Sequence, residues 1–183
     1  MTIDAMTNWL LGAMVAWSPP EAHIKEGAQA ARERYQLIAR DLATVALDPA
    51  ESPLFEGTTG RAQTALLMAA VASMESDYRR EVDNGKLRGD GGRSWCVLQV
   101  QVYGKTPEQW TGQDLIDDRK RCFRAGLHVM QESFKRCKAL PLDYRLAGYT
   151  SGTCWEEPLA KGRMRRALSY WKKKPFTPPP EST

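Results

Sequence analysis

Apolar residues recur at helical spacing over most of the chain. Met6, Leu10, Ala13 and Trp17 stand four, three and four apart, which predicts a helix over roughly Ile3 to Trp17. Beyond the break at Ser18, Pro19 and Pro20, Ile24, Ala28, Ala31, Tyr35, Ile38, Leu42 and Val45 repeat in steps of four and three, with Glu26, Arg32, Arg34 and Arg40 off that stripe. This is the pattern of a long amphipathic helix with a narrow seam, ending near Asp48 and Pro49. Such a seam serves either self-association or docking into an assembly, or packing onto the protein's own domain. The stretch from Glu51 to Gly60, with Pro53, Gly57 and Gly60, reads as a linker or loop.

A third helix is predicted from about Gly60 to Arg80, its alanines favouring helix and Leu67, Val71, Met74 and Tyr78 stacked on one face. Glu75 comes four residues after Val71 and seven after Met68, so it flanks that apolar face. A charged side chain there is anomalous; taken alone it reads as a shoulder carboxylate paired with Arg79. Asn84 to Gly92 is rich in Gly, Asp and Asn, a loop or small hairpin region, and Trp95 to Tyr103 follows as a strand-like run. Asp114 to Lys138 reads as one helix, with Ile116, Phe123, Leu127, Met130 and Phe134 sharing a face. Two shorter helices follow, near Leu142 to Tyr149 and near Leu159 to Trp171, the latter with Met164, Leu168 and Trp171 as its buried stripe. The tail Pro175 to Thr183 holds four prolines and reads as disordered; no internal repeat is present.

Composition narrows the class without naming a function. A chain of 183 residues suits one domain plus appendages, and 42% hydrophobic with 26% charged residues is ordinary for a globular protein. The net charge of +4 favours anionic surfaces in general. The apolar run from Trp9 to Trp17 is too short to span a bilayer and lacks the basic start of a secretory signal, so neither a transmembrane segment nor a signal peptide is expected. Cys96, Cys122, Cys137 and Cys154 contain no Cys-x-x-Cys pair, so no metal and no cofactor is expected. One or two disulfides, or buried free thiols, both remain open. His23 and His128, the only histidines, form no ligand set or nucleophile–base pair. The basic segment with Lys161, Arg163, Arg165, Arg166 and Lys172 to Lys174 reads as a solvated helix face, and no nucleic-acid partner is expected.

Four short motifs, in order, carry a resemblance. Glu75-Ser76, after Ala70-Val71-Ala72-Ser73-Met74, resembles the Glu-Ser pair that closes the catalytic helix of soluble lytic transglycosylases and goose-type lysozymes, a branch of the lysozyme superfamily. Ser94-Trp95-Cys96-Val97-Leu98-Gln99-Val100 is similar to that family's Ser-x-Gly-Leu-Met-Gln-Ile segment. Asp117 to Met130 resembles its third segment, in which a glycine, here Gly126, allows close packing. Leu146-Ala147-Gly148-Tyr149-Thr150-Ser151-Gly152 resembles its Ala-Tyr-Asn-Ala-Gly turn. The match covers about half the chain and leaves the first fifty or so residues unexplained. It departs from the family at Cys96, where glycine is usual, at Val97 and Leu98, and at Thr150, where the family has Asn. Cys96 reads either as a disulfide partner of Cys122 or Cys154 or as a buried thiol.

The resemblance implies a mainly α, lysozyme-like (α+β) domain with a very small β region over residues 55–172; the apolar spacing puts a helical N-terminal extension over 1–54 before it, and the prolines a Pro-rich tail over 173–183 after it. It implies a peptidoglycan-degrading enzyme that cleaves between N-acetylmuramic acid and N-acetylglucosamine. Glu75 is then the general acid and, in a lytic transglycosylase, the base as well. A hydrolytic lysozyme more often adds a second carboxylate, for which Asp90 is the candidate and Asp83 a weaker one. Ser94, Gln99 and Tyr149 are the implied substrate-binding residues, with Tyr149 also a candidate to hold Glu75. Trp95, Tyr103 and Trp155 read more simply as packing than as sugar platforms. A cell-wall substrate without an export signal fits a phage endolysin, a virion-borne wall enzyme or a component of a secretion machine. An inactive structural component retaining the fold is the rival reading.

Overall fold

The computed structural model describes residues 1–177, and the architecture is mainly helical around one two-stranded antiparallel hairpin. Its centre is the helix Gly60–Ser76, apolar on nearly every side. Helices α1 (Ile3–Trp17) and α2 (Ala28–Leu47) pair with each other and both cover α3 (Gly60–Ser76). A short helix α4 (Arg80–Asp83) follows, then β1 (Ser94–Trp95) and β2 (Val100–Gln101). Helices α5 (Gly112–Asp117), α6 (Arg119–Arg136), α7 (Ala147–Ser151) and α8 (Pro158–Lys173) complete the chain, with α6 and α8 also against α3. No described helix is long and apolar enough to cross a membrane.

The predicted N-terminal stripes are buried within the protein itself. Met6, Leu10 and Ala13 of α1 and Tyr35, Ile38, Leu42 and Val45 of α2 belong to the same hydrophobic cluster as Leu67, Val71, Phe123 and Met164. Burial of apolar surface therefore runs without a break across residue 54, and the N-terminal helices share the core of the rest. Ile24 is the exception: it sits in a turn before α2 and is 88% exposed, because the helix begins only at Ala28. At the other end, Phe176 is buried and packs edge-on against Trp9, whose indole N–H donates to the Lys174 carbonyl at 2.9 Å. The expected disordered tail from residue 173 thus starts with a packed segment, and its residues 178–183 lie outside those described.

Three predicted elements are divided. Trp95 to Tyr103 is a tight hairpin in which Ser94 pairs with Gln101 and Trp95 with Val100. Between the strands the chain turns through Cys96 and Gln99, both with positive φ (58° and 51°), and buries Val97 and Leu98 completely. The run is apolar because its turn dives under α6, where Gly126 lies so close to Leu98 that a Cβ would approach its Cδ1 to 2.2 Å. The helix predicted from Asp114 to Lys138 breaks at Asp118, whose extended backbone ends α5 while its carboxylate caps α6 by accepting from the Lys120 N–H. Leu142 to Tyr149 likewise resolves into a 3₁₀ turn, Leu142–Tyr144, and α7.

Both pairs of cysteines are bridged, Cys96 to Cys122 and Cys137 to Cys154, which excludes the free-thiol reading. The first ties the hairpin turn to α6, and the second ties the end of α6 to the segment after α7. His128 on α6 adds a polar clamp, with Nδ1 2.5 Å from Glu108 Oε1 and Nε2 2.9 Å from Glu51 Oε2, pinning two loops to one helix.

Replacing either cysteine pair by alanine is expected to lower unfolding free energy by about 3 kcal/mol, the value for closing loops of this length. Urea denaturation measures it, and unchanged midpoints would mean that the bridges do not form. Partial burial pulls the His128 pKa down, but hydrogen bonds and charge from Glu108 and Glu51 outweigh it and raise the net value above 6.5. The clamp's contribution is therefore full below pH ~6.5 and lost as pH rises through the raised folded value. The stability difference between the native protein and His128→Gln should shrink over that window, as read by denaturation at a series of pH values.

Candidate functional site

The most unusual carboxylate stands where α3 stops. The helix is predicted to run on to Arg80 but ends at Ser76, since Asp77 and Tyr78 both take left-handed backbone (φ 50° and 49°). Two consecutive non-glycine residues in that region are held only by strong surroundings. Tyr78 is fully buried, its hydroxyl donates to the Ala69 carbonyl at 2.7 Å, and the Arg34 guanidinium of α2 donates to its carbonyl. Arg34 is itself anchored by Glu26, 2.6 Å away, so a residue of the N-terminal helices braces the end of the central helix. Glu75 therefore sits in the last turn of α3, where the partial negative charge of the helix terminus disfavours an anion.

Glu75 does not pair with Arg79, whose Nε donates to the Ser76 carbonyl instead. Its partner comes from the far end of the chain: Arg163 of α8 places Nη2 2.5 Å from Glu75 Oε1. Burial pushes the Glu75 carboxyl above its ordinary value, Arg163 pulls it back, and Asp90 pushes it up again, leaving the net direction upward. The side chain keeps 20% exposure, so solvent and ligand can reach it.

Asp90 lies in the loop before β1, itself at positive φ (49°). Its Oδ2 accepts from the Ser94 hydroxyl at 2.5 Å and from the Gln101 amide at 2.9 Å. These two hydrogen bonds hold its carboxyl below the usual value. The hairpin thus keeps one acid ionised while burial favours the neutral form of the other.

Glu75, Asp90, Ser94, Gln99 and Tyr149 all line one cleft of about 440 Å³, with Val100, Gln101, Val129 and the α7 backbone around Gly148 to Gly152. Their roles inside it differ from expectation. Buried Ser94 spends its hydroxyl on Asp90. Gln99 accepts from the Gly89 N–H at 3.1 Å and donates to the Cys96 carbonyl at 3.0 Å, locking the Asp90 loop onto the hairpin. Tyr149 donates to the Leu98 carbonyl and not to Glu75. Asp83 is outside the cleft, held by a bidentate contact with Arg119 at 2.9 Å, and so is a structural ion pair. A second cavity of about 570 Å³ shares Val100, Gln101, Val129, Gly148 and Gly152 with the first and extends past Tyr103, Lys105 and Arg136, so the two form one longer groove.

Arg163, Gln101 and Thr150 were not singled out from sequence as site residues. The sequence pattern puts Arg163 on a solvated basic face, yet it is buried, and Arg166 also turns inward to donate to the Ser73 hydroxyl at 2.5 Å. The signal was present: Arg163 stands three after Ala160, four before Ala167 and seven before Tyr170, all buried on α8. Among the described residues, no cluster of His, Cys, Asp and Glu is arranged to hold a metal ion. Comparison with protein families, curated proteins and solved structures finds no match for the chain.

Because two side-chain donors hold Asp90 ionised, Ser94→Ala is expected to raise its pKa toward the ordinary aspartate value. Carboxyl-detected NMR titration of the variant checks this, and an unmoved Asp90 midpoint would count against the hydrogen bond.

Proposed function

We propose that the protein is a lysozyme-like, peptidoglycan-cleaving enzyme of the lytic-transglycosylase type, with Glu75 as its acid and then its base. One observation carries the reading: Glu75, Ser94, Gln99 and Tyr149, drawn from motifs spread over 75 residues of sequence, meet Asp90 in a single polar cleft. Close packing of Gly126 on Leu98 supports it too, since this is the role the resemblance assigns to that glycine. The groove's continuation into the second cavity suits an extended polymer better than a small metabolite.

In this reading Glu75, protonated, gives its proton to the glycosidic oxygen as the bond to the muramic-acid C1 breaks. Positive charge develops at C1 and its ring oxygen. The sugar's own 6-hydroxyl then attacks C1 and returns its proton to the Glu75 carboxylate, which closes a 1,6-anhydro ring and consumes no water. Asp90, ionised and in the same cleft, supports a second reading, a hydrolytic muramidase in which it stabilises the oxocarbenium-like state or positions water. The two disulfides suit an oxidising space such as that of the cell wall, in keeping with a phage-released, virion-borne or separately exported enzyme.

Mass spectrometry of soluble muropeptides released from purified wall separates these readings. Products lighter by one water, with anhydro ends, are expected; reducing ends would assign hydrolysis and bring Asp90 into the mechanism. Glu75→Gln keeps the side chain's shape and removes the proton donor, so clearing should fall by at least about 100-fold. Equal clearing by both proteins would overturn the assignment of Glu75 as the acid, and no clearing by the native one would leave a structural component in place of an enzyme.

A further inference from the structure

The chemistry just described leaves the Glu75–Arg163 pair without a task. Arg163 is only 6% exposed along its side chain and is fixed at two points: Nη2 on Glu75 at 2.5 Å and Nη1 on the Thr150 hydroxyl at 3.3 Å. Its Nε is a buried donor with no acceptor. A guanidinium held in this way is largely desolvated and serves no salt bridge other than that to Glu75 among the described residues.

The groups facing Glu75 come from three elements. Arg163 approaches from α8, Asp90 from the loop before β1, and the neutral Tyr149 hydroxyl from α7, already committed to Leu98. Burial, the end of α3 and Asp90 all disfavour the Glu75 anion; Arg163 alone favours it. A carboxylic acid whose anion is unsupported holds its proton too firmly to be a good donor. One whose anion meets a fixed cation releases it as the glycosidic bond breaks. The planar fork matters here, since it spans Thr150 and Glu75 together, which an ammonium group cannot reproduce with the same orientation.

We propose that Arg163 is a positioning residue that fixes the Glu75 carboxyl at the cleft wall and sets how readily it gives up its proton, with Thr150 as its second anchor. The part concerning proton donation to a glycoside rests on the proposed function; the hold on Glu75 does not. Thr150, one of the departures from the resembled family's pattern, then has a role of its own in this chain, as an anchor for Arg163.

The test is titration of the Glu75 carboxyl by ¹³C NMR in the native protein, Arg163→Gln, Arg163→Lys and Thr150→Val, with wall clearing followed against pH in parallel. In Arg163→Gln the Glu75 midpoint should rise by about 1 to 3 pH units, as for loss of an adjacent opposite charge. The alkaline limb of the clearing profile should move up with it while the maximal rate falls, because the acid is active when protonated. Arg163→Lys should restore part of the midpoint. A merely structural role would lower the rate without moving either midpoint or limb, and an unmoved midpoint in a folded Arg163→Gln overturns the proposal. Should that variant not fold, Thr150→Val carries the same test, with a smaller rise expected and an unmoved midpoint again overturning it. A midpoint that moves in a protein clearing no wall at any pH supports Arg163's hold on Glu75 and overturns the glycosidase reading instead.

Discussion

The arrangement depends on one helix that has to be surrounded. From Ala65 to Ala72 every residue of α3 is buried, so it offers no face to water and is stable only when other elements enclose it. Helices α1 and α2 close one side, and α6 and α8 close others. This requirement draws the N-terminal helices into a common core with the C-terminal one. It also decides where the end of α3 emerges: between the hairpin, α7 and α8, at the cleft that holds Glu75.

A core closed from so many directions traps charges, and three arginines answer carboxylates among them. Glu26 meets Arg34 at 2.6 Å, Asp83 and Asp41 share Arg119 at 2.9 and 2.7 Å, and Glu75 meets Arg163 at 2.5 Å. Buried pairs of this kind add little net stability over apolar packing, but a lone buried charge is strongly unfavourable, so they penalise any arrangement that separates the partners. The first braces the left-handed break after Ser76 through Arg34 and Tyr78, and the second ties α6 to α2 and to the end of α4. The third joins the two ends of the cleft's chemistry. Disulfides add covalent versions of the same constraint, one anchored on α6 and the other at its end.

Much of this was legible in the chain. The apolar spacing of Met6, Leu10 and Ala13, of Tyr35, Ile38 and Leu42, and of Leu67 and Val71 marked real helices, because a helix face meets the core every third or fourth residue. Glu75 stood out because a carboxylate beside an apolar face has to be accounted for. The apolar pattern predicts one strand-like run where the hairpin stands, and one helix where α5 and α6 stand. In both cases the apolar pattern continued through a break made by backbone conformation, at Cys96 and Gln99 in the first and Asp118 in the second. Positive φ at a non-glycine residue leaves no mark in hydropathy.

The sequence by itself determined the mainly helical class, the helix that carries Glu75, and the five residues that converge on the cleft, since these follow from local spacing and from motifs of a few residues. Only the tertiary structure decided what each of those residues does there. Ser94 and Gln99 brace the Asp90 loop, Tyr149 bonds to Leu98, and the cation that answers Glu75 is Arg163, 88 positions away. The physical reason is range: a helical stripe is set by neighbours three and four residues apart, whereas a hydrogen bond or ion pair is set by whichever group packing brings within about 3 Å.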